Sequence, residues 1–486
     1  MATTVNLRSM LHTKRWEPVS PLPVANAAGH FLVPTPPDWP RPVVFLTTAT
    51  NTHYLYDVTR DAFIDLPGGT LGAHTGASTG QFHAFGPSGT ASAGSTSTTL
   101  NTALTAVADV AGCKVRITGG TGAGQERTIT AHTFGANAIF TVGSAWTVTP
   151  DNTSTYIIMS GRFWILGATG AAVVWKYYDW FSNTWTAKST TSGPGATWGT
   201  DGQSETPSAA TYNSVLATGT ATAGAAATLT NSGKSWATNK WANSQVRITG
   251  GTGAGQVRTI NSNTGTVLTV SANWTVNPDA TSTYSIEGND DWIFVAGNNA
   301  VTLFRYAING IAGLSANAQA TGDTWITVAP GAARAAAGAA GLSLAYIFAS
   351  TDPIYGNENT GYNGLRLYSF RGGATATLDY YDIAANTWVS GVAYGAAQVT
   401  FTANSTHGCD GTSIWIKKEA TGRLFKFVPH DNTLYPWSSL AMYPEGAGTL
   451  GEGKVFPMFY VDGGTTVRYI YSVRHTGTEM FRMIEI

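Results

Sequence analysis

Tyr178-Asp179-Trp180-Phe181-Ser182-Asn183-Thr184-Trp185 decides the fold of this chain, because its pattern returns along the 486 residues. Trp185 lies six residues beyond Asp179, Trp388 six beyond Asp382 of Tyr381-Asp382, and Phe63 six beyond Asp57 of Tyr56-Asp57. Asn-Thr stands directly before both tryptophans. An aromatic-Asp pair, a polar turn containing Asn and a second aromatic read as a β-hairpin. The short polar side chains bond their own backbone in the turn, and the strands carry the rings into packing layers. Looser copies run from Leu424 to Tyr435 and, with a longer loop, from Leu303 to Trp325. Further apolar strands precede these hairpins at Arg162 to Leu166, Trp292 to Val295, Leu365 to Phe370 and Ser413 to Ile416, which makes four-stranded meanders.

Working outward, the outer hairpins fall near 52–66, 172–188, 300–328, 376–391 and 421–438, and 454–486 holds three strands of a sixth unit. The segment Arg15-Trp16-Glu17-Pro18 reads as the missing fourth strand, with Trp16 in the place of Trp185 and Trp388. The expectation is an all-β fold: a six-bladed β-propeller closed by an N-terminal strand paired with Phe481 to Ile486, leaving no exposed edge. On these residues the chain resembles the Kelch-type β-propeller, whose blades carry a Tyr-Asp, an Asn-containing turn and a Trp, and whose last blade a terminal strand completes. The resemblance covers roughly 15–87, 160–216 and 288–486.

A second repeat is nearly literal. Val115-Arg-Ile-Thr-Gly-Gly-Thr-Gly-Ala-Gly-Gln-Glu-Arg-Thr-Ile129 returns as Val246-Arg-Ile-Thr-Gly-Gly-Thr-Gly-Ala-Gly-Gln-Val-Arg-Thr-Ile260, and Pro150-Asp151 with Tyr156 returns as Pro278-Asp279 with Tyr284. Two small homologous β domains are therefore expected at 88–159 and 217–287. They interrupt a discontinuous propeller of 1–87, 160–216 and 288–486. Each follows an expected innermost strand, Gln81 to Phe85 or Ala209 to Leu216, so the two leave adjacent blades side by side. The Gly-rich stretches only superficially resemble a phosphate loop: Gln125 and Gln256 stand where such a loop needs Lys, and no helix follows.

Composition narrows the function. Charged residues make up 11% of the chain and the net charge is −1, against about 25% charged in ordinary soluble domains. That leaves no cationic field for nucleic acid and no basic collar for an anionic membrane. No apolar run approaches the ~20 residues of a membrane helix, and Met1 to Arg15 lacks the apolar block of a cleaved secretory signal. The 56 glycines fit a chain of many tight turns. The one helix-like stretch, Ala332 to Ala340, is interrupted by Gly338 and is not expected to be a helix.

No motif supports catalysis, a cofactor or a metal. His407, Cys409 and Asp410 group three possible ligands, but zinc sites usually need four and Asp410-Gly411 reads as a turn. Glu17, Glu419, Glu445 and Glu452 are scattered, and neither a run of sialidase-type Asp boxes nor a supported Ser, His and Asp set is found. Cys113 and Cys409 read as reduced thiols. The candidate contact residues are Arg116, Arg127, Arg247 and Arg258, which flank the twin Gly-rich turns, and Trp180, Phe181, Trp198 and Tyr362, which fall in loops.

The twin modules resemble small β modules found in structural proteins of tailed bacteriophages. That resemblance implies a non-enzymatic structural component of a virion, at the tail, collar or capsid surface. Its partners would be other virion proteins in a symmetric assembly, and its location the virion after synthesis in the host cytoplasm. The alternative is a glycan-binding propeller of a tail fibre or cell surface, with a host-surface glycan as partner. A Kelch-type copper radical oxidase is the third reading, and its Tyr, Cys and His constellation cannot be assigned here.

Overall fold

The structure is a computed structural model and describes residues 16–25, 31–36, 39–48, 52–66, 78–169, 172–195, 203–205, 215–242, 244–287, 292–296, 301–308, 323–337, 343–347, 366–371, 375–383, 385–394, 399–401, 406–409, 413–418, 423–429, 432–436, 455–462, 465–473 and 477–484. Among them there is no helix, including over 332–337. The described strands form six four-stranded antiparallel sheets and two larger ones.

The repeated hairpin is explained by its own side chains. Tyr178 lies directly opposite Trp185, Tyr381 opposite Trp388, Tyr306 opposite Trp325 and Tyr56 opposite Phe63. Their ring centroids are 5.3, 5.6, 5.0 and 4.9 Å apart. Each tyrosine hydroxyl donates to a residue of the turn: Asn183 at 2.7 Å, Asn386 at 2.5 Å, Asp323 at 2.9 Å and Asp61 at 2.8 Å. Those four acceptors have φ of 54°, 48°, 60° and 50°, a left-handed backbone that Asn and Asp adopt more readily than other residues with a Cβ. The Asp after the tyrosine opens the turn by accepting a backbone amide, from Ser182 on Asp179 at 3.3 Å and from Ala385 on Asp382 at 3.0 Å. One short motif thus fixes a turn, a cross-strand ring pair and their connection.

The first sheet runs Phe31–Pro34, Val43–Thr47, His53–Asp57, Ala62–Leu66; the second Ser78–His83, Arg162–Thr169, Ala172–Asp179, Thr184–Ala187; the third Gln203–Glu205, Trp292–Ala296, Leu303–Ala307, Thr324–Thr327. The fourth runs Ser343–Ile347, Arg366–Phe370, Thr377–Asp382, Thr387–Ala393; the fifth Thr406–Cys409, Ile414–Lys417, Leu424–Val428, Thr433–Pro436. The sixth takes Val455–Asp462, Thr465–Val473 and Met480–Ile484 from the end of the chain and Glu17–Pro18 from its start. Glu17 pairs with Arg482 and Pro18 with Phe481, and Leu22 is buried.

Buried side chains join each sheet to the next. Val33 and Phe45 pack with Phe82, Phe163 and Tyr178 of the second sheet, and Trp164 and Trp175 with Ile293, Tyr306 and Trp325 of the third. Trp292 and Phe294 pack with Leu367 and Tyr381 of the fourth. Tyr368 and Phe370 meet Ile414 and Phe427 of the fifth, whose Trp415 and Leu424 meet Val455, Ile470 and Met483 of the sixth. Met458 and Tyr471 of the sixth sheet pack in turn on Val44 and Tyr56 of the first. Complete burial of such a side chain contributes about 1.5–3 kcal/mol, so these seams are a main source of cohesion.

The duplicated segments form the two larger sheets. The first module has six strands from Ser88–Thr90 to Thr155–Met159, and the second has seven from Val215–Thr220 to Thr283–Glu287. One expectation is corrected here. The expected strand Ala209 to Leu216 lies outside the described residues up to 214, and Val215–Thr220 pairs with Thr283–Glu287 and so belongs to the module, while Gln203–Glu205 pairs with Trp292–Ala296 at the edge of the third sheet. The apolar residues of Val215–Thr220 suit either sheet, and sequence alone does not separate the two.

Candidate ligand cleft

A cleft of about 640 Å³ opens where the first sheet, the second sheet and the first module meet. Pro40, Asp57, Arg60 and Ile64 come from the first sheet and its loops, Trp180 from the hairpin of the second, and Val107 and Asp109 from the module. Ile64 and Val107 are 44% and 51% exposed, so the mouth carries apolar surface left uncovered among the described residues.

Its polar groups are held by local geometry. Asp57 Oδ1 accepts the amides of Thr59 at 2.9 Å and Arg60 at 3.2 Å and the Thr59 hydroxyl at 2.7 Å. Its Oδ2 lies 3.6 Å from Arg60 Nε, and the Arg60 side chain is 75% exposed. Across the cleft, Arg41 Nε donates to the Ala111 carbonyl at 3.1 Å and Arg41 Nη2 to the Asp109 carboxylate. Burial pushes the Asp109 carboxyl up, but the Ala111 amide and the Arg41 guanidinium outweigh it and hold the group below its ordinary value. It is an anion at neutral pH. The arrangement offers apolar walls and a few fixed charged groups, the makeup of a small-molecule site.

The aromatic contact candidates of the hairpin need correction. Trp180 is 8% exposed and Phe181 fully buried. The Trp180 indole donates to the Ser160 carbonyl, and the Phe181 carbonyl accepts the Val107 amide at 3.0 Å. They form the joint between sheet and module, and Trp180 also lines the cleft. An aromatic in a turn reads as exposed until the module that covers it is placed. Trp198 and Tyr362 lie outside the described residues.

The four arginines are also engaged within the protein. Arg127 stacks on Trp146 at 5.5 Å and donates to the Ala145 carbonyl at 3.1 Å; Arg258 repeats this on Trp274 at 5.4 Å and Asn273 at 3.0 Å. Arg116 and Arg247 are buried between the two modules. Arg116 Nη2 lies 2.9 Å from Glu126 and Nη1 3.5 Å from Glu287, while Arg247 Nη2 lies 2.5 Å from Glu287. Gln125, which takes the place of a phosphate-loop lysine, donates to the carbonyls of Gly122 at 2.9 Å and Val148 at 2.8 Å, pinning the loop to its neighbour. Sequence reasoning placed Asp57 in the repeated hairpin but missed the cleft that it forms there with Arg60 and Ile64, because the other wall, with Val107 and Asp109, comes from the module.

No family model matches the chain, and no curated protein matches it. Similar solved structures include an auxiliary nutrient binding protein from Bacteroides thetaiotaomicron, at 10% identity and a TM-score of 0.24, over 84% of this chain and 98% of that one. The phage phi92 endosialidase is 11% identical with a TM-score of 0.28, over 97% of this chain and 69% of that one. A variant of NanB sialidase from Streptococcus pneumoniae is 8% identical with a TM-score of 0.26, over 95% and 87%. The antiparallel, all-β architecture of the described residues is consistent with these propeller-like structures. The expectation that the chain is not an enzyme is corrected: the similar structures include an endosialidase and a sialidase, both enzymes. A structural virion role gains no support from the fold or from these likenesses.

Proposed function

We propose that the chain is a closed six-bladed β-propeller that binds a glycan in the cleft between its first two blades and its first module. Closure is supported by the pairing of Glu17–Pro18 with Met480–Ile484 and by the succession of packed seams that returns to the first sheet. The observation that carries the glycan reading is the lining of the cleft: apolar Pro40, Ile64 and Val107 beside Asp57, Arg60 and Asp109. A sugar presents C–H faces that rest on apolar surface and hydroxyls that bond carboxylates and guanidinium groups. A volume of about 640 Å³ lies within the ~300–1,000 Å³ range of ligand pockets.

A glycan array probed with the intact chain tests this, followed by titration of each hit against Arg60→Ala and Ile64→Asp, two changes at exposed positions. Binding lost in both variants at unchanged melting temperature supports the reading; no hit, or hits indifferent to both changes, removes it. A virion location with virion proteins as partners is a separate proposal, resting on the module resemblance. Immunogold labelling of phage particles with antibody to 217–287 tests it.

A further inference from the structure

The two modules meet face to face, and the contact has the reciprocity of a two-fold interface. Arg116, Thr118, Ala123 and Gly124 correspond in the repeat to Arg247, Thr249, Ala254 and Gly255. A Cβ on Gly124 meets the carbonyl oxygens of Ile248 and Thr249 at 2.9 Å and the Gly255 nitrogen at 3.1 Å. A Cβ on Gly255 meets the Thr118 carbonyl at 3.4 Å and the Gly124 nitrogen at 3.5 Å. Each turn therefore rests on the strand that leads into its twin, and the two glycines face each other at the centre. That residue i touches j while j′ touches i′ is the signature of an isologous contact.

Each module supplies a carboxylate for its own arginine, and Arg116 Nη1 also lies 3.5 Å from Glu287 across the contact. Arg116 bonds Glu126 of its own module, and Arg247 bonds Glu287 of its own. The two carboxylates do not correspond in the repeat: Val257 stands where Glu126 does, and Met159 where Glu287 does. Each module thus has one carboxylate on its arginine, carried on a different strand in the two copies. A pair built from two copies of either module then keeps one carboxylate for each buried arginine.

We infer that this face is a homotypic docking surface whose partner is another copy of the module: the twin within the chain or, when the twin is missing, the same module of a second chain. In the intact protein the tethered twin occupies the face at high effective concentration, so intermolecular pairing is suppressed.

Two measurements test it. In the first, the full chain carrying Glu287→Met, and the same chain with Val257→Glu added, are melted beside the parent. Glu287→Met strands Arg247 and lowers the melting temperature by several degrees; Val257→Glu returns a carboxylate to Arg247 in the arrangement of the first module and restores most of the loss. A double variant no more stable than the single one overturns the inference. In the second, the chain lacking 217–287 is sedimented over a concentration series. It dimerises, Ala123→Arg at the contact returns it to monomer, and Val148→Arg on the exposed side leaves the dimer intact. A folded deletion variant that stays monomeric throughout overturns the inference; if it does not fold, the melting series decides.

Discussion

Arg482 Nε donates to Glu17 Oε1 at 2.6 Å, joining residues 465 positions apart in the chain. The contact lies beside the two-residue ladder by which the start of the chain completes the sixth sheet. Two further bonds extend the seam, from the Val19 amide to the Met480 carbonyl at 3.0 Å and from the Leu22 amide to the Thr478 carbonyl at 2.7 Å. With its side chains 22% and 26% exposed, the ion pair is still reached by solvent and contributes about 1 kcal/mol. Leu22 is 3% exposed in a core shared by the first and sixth sheets, and Leu22→Ala costs about 2–5 kcal/mol. The expected order in urea is therefore Leu22→Ala well below Glu17→Gln, with Glu17→Gln close to the parent. Equal midpoints for Leu22→Ala and the parent would remove the terminal strand from the cooperative fold.

The turn residue of the repeated hairpin makes a sharper local prediction. Asn183 combines φ of 54° with the hydrogen bond from Tyr178. Asn183→Gly keeps the backbone and loses only the bond, at about 1 kcal/mol; Asn183→Val adds left-handed strain of at least about 1–2 kcal/mol. Denaturation midpoints in the order parent, Gly, Val are expected, and a Val variant as stable as the Gly variant would show that the turn does not constrain the fold.

These two cases show what the sequence made legible. A hairpin is a local object, so its turn, its ring pair and its spacing are written within about eight residues, and Tyr178 to Trp185 could be read directly. The pairing of Glu17–Pro18 with Phe481 and Arg482 was legible because Arg15 to Pro18 reads as the fourth strand that 454–486 lacks. The cleft was not, since Asp57, Ile64, Val107 and Trp180 meet only after a module has folded back on two sheets. Arg116 and Arg247 were misread for a related reason: a duplicated sequence reveals two copies but not that they face each other.

Acid should act through the buried charges between the modules. Burial works against ionised Glu126, but Arg116, Lys114 and Arg247 prevail and hold its carboxyl down at about 2. Glu287 is held low against the same burial by Arg247 and Arg116. Carboxyls depressed in the fold and ordinary, near ~4.3, when unfolded give stability that is present at neutral pH and lost as pH falls from about 4.3 toward 2. The Glu126 share is on the order of 3 kcal/mol. Glu126→Gln is expected to be less stable than the parent near neutrality and to converge on it in acid. Urea midpoints that stay parallel across the pH series would exclude Glu126 as the titrating group.

Cys113 is completely buried, and burial pushes its thiol up to about 12, so almost no thiolate forms at neutral pH. Mass spectrometry after brief alkylation should find Cys113 unmodified in the native protein and modified in denaturant. Native labelling at a rate near that of a free thiol would mean that the first module opens readily.

The two modules should differ in what their removal does. A sequence reading treats both as inserts whose ends lie close together, so that cutting out 89–158 leaves the rest folded. The structure argues otherwise for the first. Phe140, Val115 and Ile157 share one core with Trp39, Phe82 and Phe181, Arg41 bonds Ala111 and Asp109, and the Phe181 carbonyl takes two amides from the module, at 3.0 and 3.3 Å. The core of the second module is made of its own residues, from Leu229 and Val246 to Ile286. Deleting 89–158 with a short linker uncovers Phe181 and Trp180 and should lower the melting temperature of the remaining sheets. Deleting 217–287 should leave it nearly unchanged. Calorimetry of both deletions decides, and the reverse order would mean that the second module, through its contact with the first, is what holds the joint together.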